Sequence, residues 1–190
     1  MKTIFAFDTA TSVATCALLR EGEVVGERLA EAKAILAAAD DLVRAAGIEP
    51  GEIDALVVGT GPGSFTSIRI GLATARGLAL ALGVPAAGVS TLHAFAGGKP
   101  VIDAKRGEVF TEGPMVARPE DLDVAGVTLV GDGAIRYREL FEAAGARIPA
   151  DGEPAHLPAA SRLVACAQAY GPADEIEPVY LRDPDARPSR

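Results

Sequence analysis

The sequence predicts an α/β protein with a mixed sheet, helices on its faces, and a smaller second lobe. Three observations predict it. The first thirty residues read as β-rich runs joined by tight turns. Two long helical segments then alternate with short apolar strands, giving the order β-β-β-α-β-α-β. After Gly97-Gly98 the texture turns short and irregular. Hairpins pair strands antiparallel, whereas helical crossovers return them parallel, so the first sheet should contain both kinds.

Each element has a local signal. Residues 3–7 alternate and stop at Asp8-Thr9-Ala10-Thr11-Ser12; residues 13–20 and 24–29 form a hairpin about Glu21-Gly22-Glu23. Residues 30–46 are helical, with Gly47 as the stop and Pro50 beyond it. Residues 55–59 are a buried strand that enters Gly59-Thr60-Gly61-Pro62-Gly63-Ser64. A helix over 67–82 follows, ending at Gly83. Residues 84–90 make another strand and 91–96 a short helical turn. In the second lobe, strands are expected at 100–104, 108–110 and 127–131, and helices at 136–144 and 159–170. Residues 111–124 look irregular and the tail extended. The domains are therefore 1–98 and 99–190.

Composition narrows the function. The chain has 190 residues, 49% hydrophobic and 23% charged, as in a packed globular protein; 21 are glycine and none is tryptophan. Its 18 basic residues face 26 acidic ones, for a net charge of −8. Nucleic-acid binding rests on neutralising phosphates, so this chain is a poor binder of RNA or DNA by itself. The apolar run before Asp8 is too short for a signal peptide or a spanning helix. Cys16 and Cys166 are the only cysteines, which excludes a disulfide framework or a zinc quartet and suits a reducing cytoplasm.

The glycine loop is the strongest local motif. Asp8, Thr9, Gly59, Thr60, Gly61, Pro62, Gly63 and Ser64 form a phosphate-loop-like set, because free N–H groups between a strand and a helix suit an anion. The loop is not a P-loop, since no Lys-Ser or Lys-Thr follows the glycines. The plainer reading is a tight turn needing glycine dihedrals, with a capping Ser64 or Thr66. Asp8 closes the first strand where sugar kinases, Hsp70 and actin hold an acid near nucleotide and metal; Asp103 is the one second-lobe acid that could join it. His93 and His156 stand far apart, with no metalloprotease spacing, and His93 reads as a core residue. No catalytic residue, metal or cofactor is expected. The apolar arc of the first long helix is wider than one buried face requires, and the second is apolar nearly all round, so something must cover them on more than one side. Small residues would let partner helices approach, and the partner-facing set is taken as Ala34, Ile35, Ala38, Leu42, Ala45, Gly71, Ala75 and Leu78.

Three segments carry a family resemblance: Phe7-Asp8-Thr9-Ala10-Thr11, the run from Val58-Gly59-Thr60 through Gly63-Ser64-Phe65-Thr66 to Ile70-Gly71, and Val101-Ile102-Asp103 through Val109-Phe110. The tail Glu177-Pro178-Val179-Tyr180-Leu181-Arg182 adds to them. The chain closely resembles the bacterial TsaB (YeaZ) family over nearly its whole length. The resemblance implies an actin-like fold of the sugar-kinase and Hsp70 superfamily (RNase H-like). It implies a non-catalytic role in forming N6-threonylcarbamoyladenosine (t6A37) in tRNA, as partner of a TsaD-type threonylcarbamoyl transferase and a TsaE-type ATPase. It further implies a homodimer when alone, tRNA contact only through the assembled complex, and no membrane. The chain departs from the family at Glu31-Ala32 and Ala37, where a His-Ser pair and a proline are usual, and at Ser67, where glycine is common. Thr111-Glu112-Gly113-Pro114 also leads straight to Arg118-Pro119, so the second lobe is shortened. The competing readings are a small ATP-binding kinase or ATPase of the same fold, and a peptidase, against which the histidine pattern speaks.

Overall fold

The computed structural model describes residues 2–113 and 115–181; Met1, Pro114 and residues 182–190, including Arg182 of the family-like tail, lie outside the described residues. The chain opens as a meander of β1 (Thr3–Asp8), β2 (Ala14–Arg20) and β3 (Glu23–Ala30). Glu21 and Gly22 both take positive φ (54° and 87°), the turn geometry that matches strand twist in a two-residue hairpin. β4 (Ala55–Gly59) and β5 (Ala86–Val89) run parallel to β1, completing the order β3-β2-β1-β4-β5. The mixed sheet expected from the element order is therefore present.

One face of this sheet is covered by α1 (Ile35–Ala45), which follows a 3-10 turn at Ala32–Ala34, and by α2 (Phe65–Leu82). Ile35, Leu42, Ile68, Leu72 and Ala75 meet Phe5, Phe7, Leu18 and Leu56 there. Close approach needs a glycine at one point: a Cβ on Gly26 would stand 2.7 Å from a Leu42 methyl. The α2 helix starts two residues earlier than expected, with Ser64 as N-cap, and stops at Gly83 in the left-handed region (φ 68°). By length and hydropathy it could cross a membrane, yet Ile68, Leu72, Ala75 and Ala79 seat it on the sheet.

The second sheet has the order β8-β7-β6-β9, from β6 (Lys99–Lys105), β7 (Glu108–Thr111), β8 (Met115–Ala117) and β9 (Leu129–Val130). β8 lies where irregular chain was expected; three residues are too few to show alternation. α3 (Asp132–Arg136) and α4 (Arg138–Ala143) replace the single helix expected at 136–144, with a break at Tyr137. They cover Val101, Val109 and Leu129 around Phe141. The opposite side of this sheet, through Ile102, Ala104 and Phe110, shares a core with Ala6, Val57 and Val89 of the first.

The expected domain boundary falls between β5 and β6, but the C-terminal segment does not stay in the second lobe. α5 (Ala160–Cys166) packs on β1, β2 and β4, with Leu163 in the shared core. The Ala160 amide donates to Thr15 Oγ1 (3.3 Å), and the Ser161 amide and hydroxyl both donate to Glu27 (3.0 Å each). α5, from the expected second lobe, is the cover for the second face of the first sheet, which pattern alone cannot assign. α5 also ends earlier than expected. Gly171 then bridges Ala86 at the β5 edge, and the chain wraps as a strap along α2. Arg76 holds the strap by donating to the carbonyls of Ala173, Asp174 and Ile176 (3.4, 3.3 and 3.2 Å).

Candidate functional site

At the carboxyl end of β1 the chain must turn, and Asp8 serves that turn. Its Oδ1 accepts from the Ala10 amide and its Oδ2 from the Thr91 hydroxyl, both at 2.6 Å. Asp8 is buried, and a side chain at Gly59 would overlap its carboxyl group. Burial pushes the Asp8 pKa up, while the Thr91 and Ala10 hydrogen bonds pull the other way. Thr9 is also buried, and its hydroxyl donates to the Ser67 carbonyl of α2 (2.6 Å).

The glycine loop is bonded inward. The Thr60 amide donates to Val89 (2.9 Å), the Gly61 amide to Thr91 Oγ1 (3.0 Å), and the Ser64 amide to Ala10 (2.8 Å). Pro62 has no N–H, and the Gly61–Pro62 bond is cis. Gly63 must be glycine, because a Cβ there would overlap the Ala10 carbonyl. Of the phosphate-loop-like set, only Gly63 and Ser64 line the neighbouring cleft; Asp8, Thr9, Gly59, Thr60, Gly61 and Pro62 lie beneath it.

That cleft, of about 1010 Å³, lies between the two sheets. Its walls include Ser12, Phe65, Asp103, Lys105, Asp132 and Tyr180. Asp103 is held by Lys105 Nζ (2.7 Å), the Lys105 amide (2.9 Å) and Arg136 (3.1 Å). Burial raises its pKa, but Lys105 and then Arg136 outweigh that and hold it below the ordinary value. Asp132 accepts from the Asp103 amide and from Ser12 Oγ (2.9 Å each), tying the two lobes across the cleft. No cluster of three or more His, Cys, Asp or Glu suited to a metal occurs among the described residues. Asp103 lines the cleft while Asp8 is buried outside its lining, so the two do not form one open acid pair. His93 is exposed, contrary to the core role expected for it, although its 3-10 turn buries Thr91, Leu92 and Ala94. His156 is the buried histidine. Its Nδ1 lies 3.2 Å from the Gly131 amide and its Nε2 3.1 Å from the Pro149 carbonyl, so both ring atoms serve packing.

The partner-facing set divides. Ile35, Leu42, Gly71 and Ala75 are buried in the chain's own core, so they offer nothing to a partner; this corrects their assignment. Gly71 sits 2.5 Å (as an added Cβ) from Thr9 Oγ1. Ala34, Ala38 and Leu78 are half-buried, and Ala45 is exposed. The outer side of α2 is instead Ala73, Gly77, Leu80 and Ala81, with Ile70 and Thr74 half-buried beside them. Leu80 is 86% exposed, the most exposed of the large apolar side chains described, and Leu36 on α1 is 53% exposed. Counting 100° per residue from Ile68 and Ala75 would have placed 73, 77 and 80 outward, but an all-apolar helix hides its own phase.

Two sheets sharing a core, with a cleft between them and a glycine turn opening a long helix, define an actin-like α/β protein. A family model described as TsaD, tRNA N6-adenosine threonylcarbamoyltransferase, matches residues 23–136. The tRNA threonylcarbamoyladenosine biosynthesis protein TsaB of Escherichia coli is 34% identical over 221 aligned positions, covering 95% of this chain and 94% of that protein. An uncharacterised protein of Mycobacterium tuberculosis is 37% identical over 213 positions, covering 99% and 95%. Among solved structures, YeaZ from Pseudomonas aeruginosa superposes with a TM-score of 0.80 at 29% identity, covering 95% of this chain and all of that one. The chain belongs to the TsaB family.

Proposed function

We propose that this chain is the non-catalytic subunit for N6-threonylcarbamoyladenosine formation in tRNA, acting through a dimer with a TsaD-type threonylcarbamoyl transferase. The family carries the biosynthetic role. The observation behind the docking mode is the outer side of α2, where Leu80 stands 86% exposed beside Ala73 and Gly77. Small residues there allow another helix to approach closely, and an apolar face of this kind is a solubility liability when left bare. On α1 the exposed large apolar side chain is Leu36, at 53%. Two helices from each subunit then form a four-helix contact, and the same face joins two copies when the paralogue is absent.

The inward bonding of Asp8 and of the glycine loop supports a role without chemistry of its own. A kinase of this fold needs those groups open to phosphate and metal. A TsaE-type ATPase completes the assembly, tRNA is met only by the assembled complex, and the setting is the cytoplasm. The test is co-expression with the organism's TsaD-type paralogue, followed by in vitro t6A synthesis. With the TsaE-type ATPase and a threonylcarbamoyl donor present throughout, each protein alone should give none and the mixture should restore it. Product from the paralogue alone at the full rate would refute the reading.

A further inference from the structure

At the start of α2 an arginine is held in a way the fold does not require. The Arg69 guanidinium lies 3.7 Å over the Phe65 ring, and its Nε donates to Tyr180 Oη at 3.0 Å. Phe65 and Tyr180 pack on each other with ring centroids 4.7 Å apart. The two terminal nitrogens of Arg69 make no hydrogen bond among the described residues, and the side chain is exposed. Arg76, the other cation of α2, is consumed by the three strap carbonyls. Among the described residues Arg69 is thus an uncommitted charge beside the apolar stripe of Ala73, Gly77 and Leu80, one helical turn from its start.

We propose that Arg69 is a carboxylate receptor at the edge of the partner interface, taking an Asp or Glu side chain from the partner's helix pair. The inference rests on the reading that the outer side of α2 is the docking face. Burying that stripe carries Arg69 out of bulk water, and a cation so desolvated is costly unless the partner pairs it. A planar guanidinium with two outward N–H groups matches a carboxylate in the two-bonded geometry. The ring beneath and the Tyr180 hydroxyl fix its orientation beforehand, so little side-chain freedom remains to be lost on docking. The strap thereby acquires a role at the interface: it brings Tyr180 to the arginine.

The experiment measures the dissociation constant between this chain and the purified TsaD-type paralogue at about 0.05 M and about 0.5 M salt, where screening differs severalfold. The variants are Leu80→Asp, Arg69→Gln, Arg69→Lys and Tyr180→Phe, each checked for an unchanged melting temperature. Leu80→Asp should abolish binding. Arg69→Gln should weaken it roughly thirty-fold or more at low salt and flatten the salt dependence, as loss of one member of a desolvated pair does. Arg69→Lys keeps the charge but not the fork and should recover only part of the loss; Tyr180→Phe should cost a few-fold. Binding of Arg69→Gln within twofold of wild type, with Leu80→Asp dead, would overturn the receptor and leave the docking face standing. Wild-type binding by Leu80→Asp would overturn both. Full rescue by lysine would overturn the forked contact.

Discussion

Asp8 and Thr91 stand 83 positions apart in sequence, and their hydrogen bond makes one relay of β1, the glycine loop and the turn after β5. Thr91 Oγ1 accepts from the Gly61 amide while donating to Asp8, so one hydroxyl satisfies two buried groups. Thr91→Val should cost about 2–4 kcal/mol, because a buried carboxylate and a buried amide each lose a partner; Thr91→Ser should restore most of it, read by urea melts. Asp8 and Asp103 should also oppose each other in pH. The folded pKa of Asp8 lies above its ordinary value of 3.8, so its contribution is full below that value and is lost as pH rises through the folded pKa. Asp103 is lowered, so its contribution is present above 3.8 and lost as pH falls through its folded pKa. Melting curves between about pH 3 and 7 should show Asp103→Asn removing part of the acid loss, and Asp8→Asn removing an opposite slope. The sequence named Asp8 and the loop, with a turn as the plainer reading, but not the Thr91 partner: Thr91 is an ordinary threonine until the fold sets it beside the end of β1.

The α2 helix shows most clearly what the sequence could and could not settle. Its existence, its stop at Gly83 and its near-complete apolar surface were legible, since a helix with that character must be covered on several sides. Its phase was not, because Ala, Gly and Leu occur on every side and no polar stripe marks the solvent. Gly71 and Ala75 consequently looked partner-facing but lie against β1 and the core. On α1 the phase was clearer in retrospect: Asp40 and Arg44 form an outward pair at 3.0 Å, opposite Ile35 and Leu42. A charge scan along α2 tests the phase directly. Ala75→Arg should unfold the protein, since a guanidinium would enter the core at a position 0% exposed. Ala73→Arg, two residues earlier, should change stability by no more than about 0.5 kcal/mol and yet remove co-purification with the paralogue. If Ala73→Arg co-purifies as wild type, the docking face lies elsewhere on the molecule.

At the scale of the whole chain, charge and shape divide the labour of a tRNA-modifying assembly. Two sheets sharing one core give a stiff body, and the strap from Gly171 to Leu181 wraps the β5 edge back onto α2. The alignment with E. coli TsaB runs to 221 positions against the 190 residues here, so that relative carries residues this chain lacks. The sequence reads as shortened at Thr111-Glu112-Gly113-Pro114, whereas the return of α5 to the first sheet left no mark on it, because a seven-residue helix carries no address. The net charge of −8 bears on RNA directly. A tRNA presents a dense run of phosphates, and binding gains from the counterions that cationic side chains displace. This chain's exposed cations are largely engaged: Lys33 with Glu31, Arg44 with Asp40, Lys105 and Arg136 with Asp103. At about 0.15 M salt the screening length is near 8 Å, which leaves only short-range contacts to offset the repulsion. The isolated protein should therefore give no tRNA shift at micromolar concentration and physiological salt. The complex with the paralogue should give one, with an affinity that falls steeply as salt rises. Charge reversals on this chain should leave that slope unchanged, and reversals on the paralogue should reduce it. A tight, salt-sensitive shift by this chain alone would place the RNA-binding surface here instead.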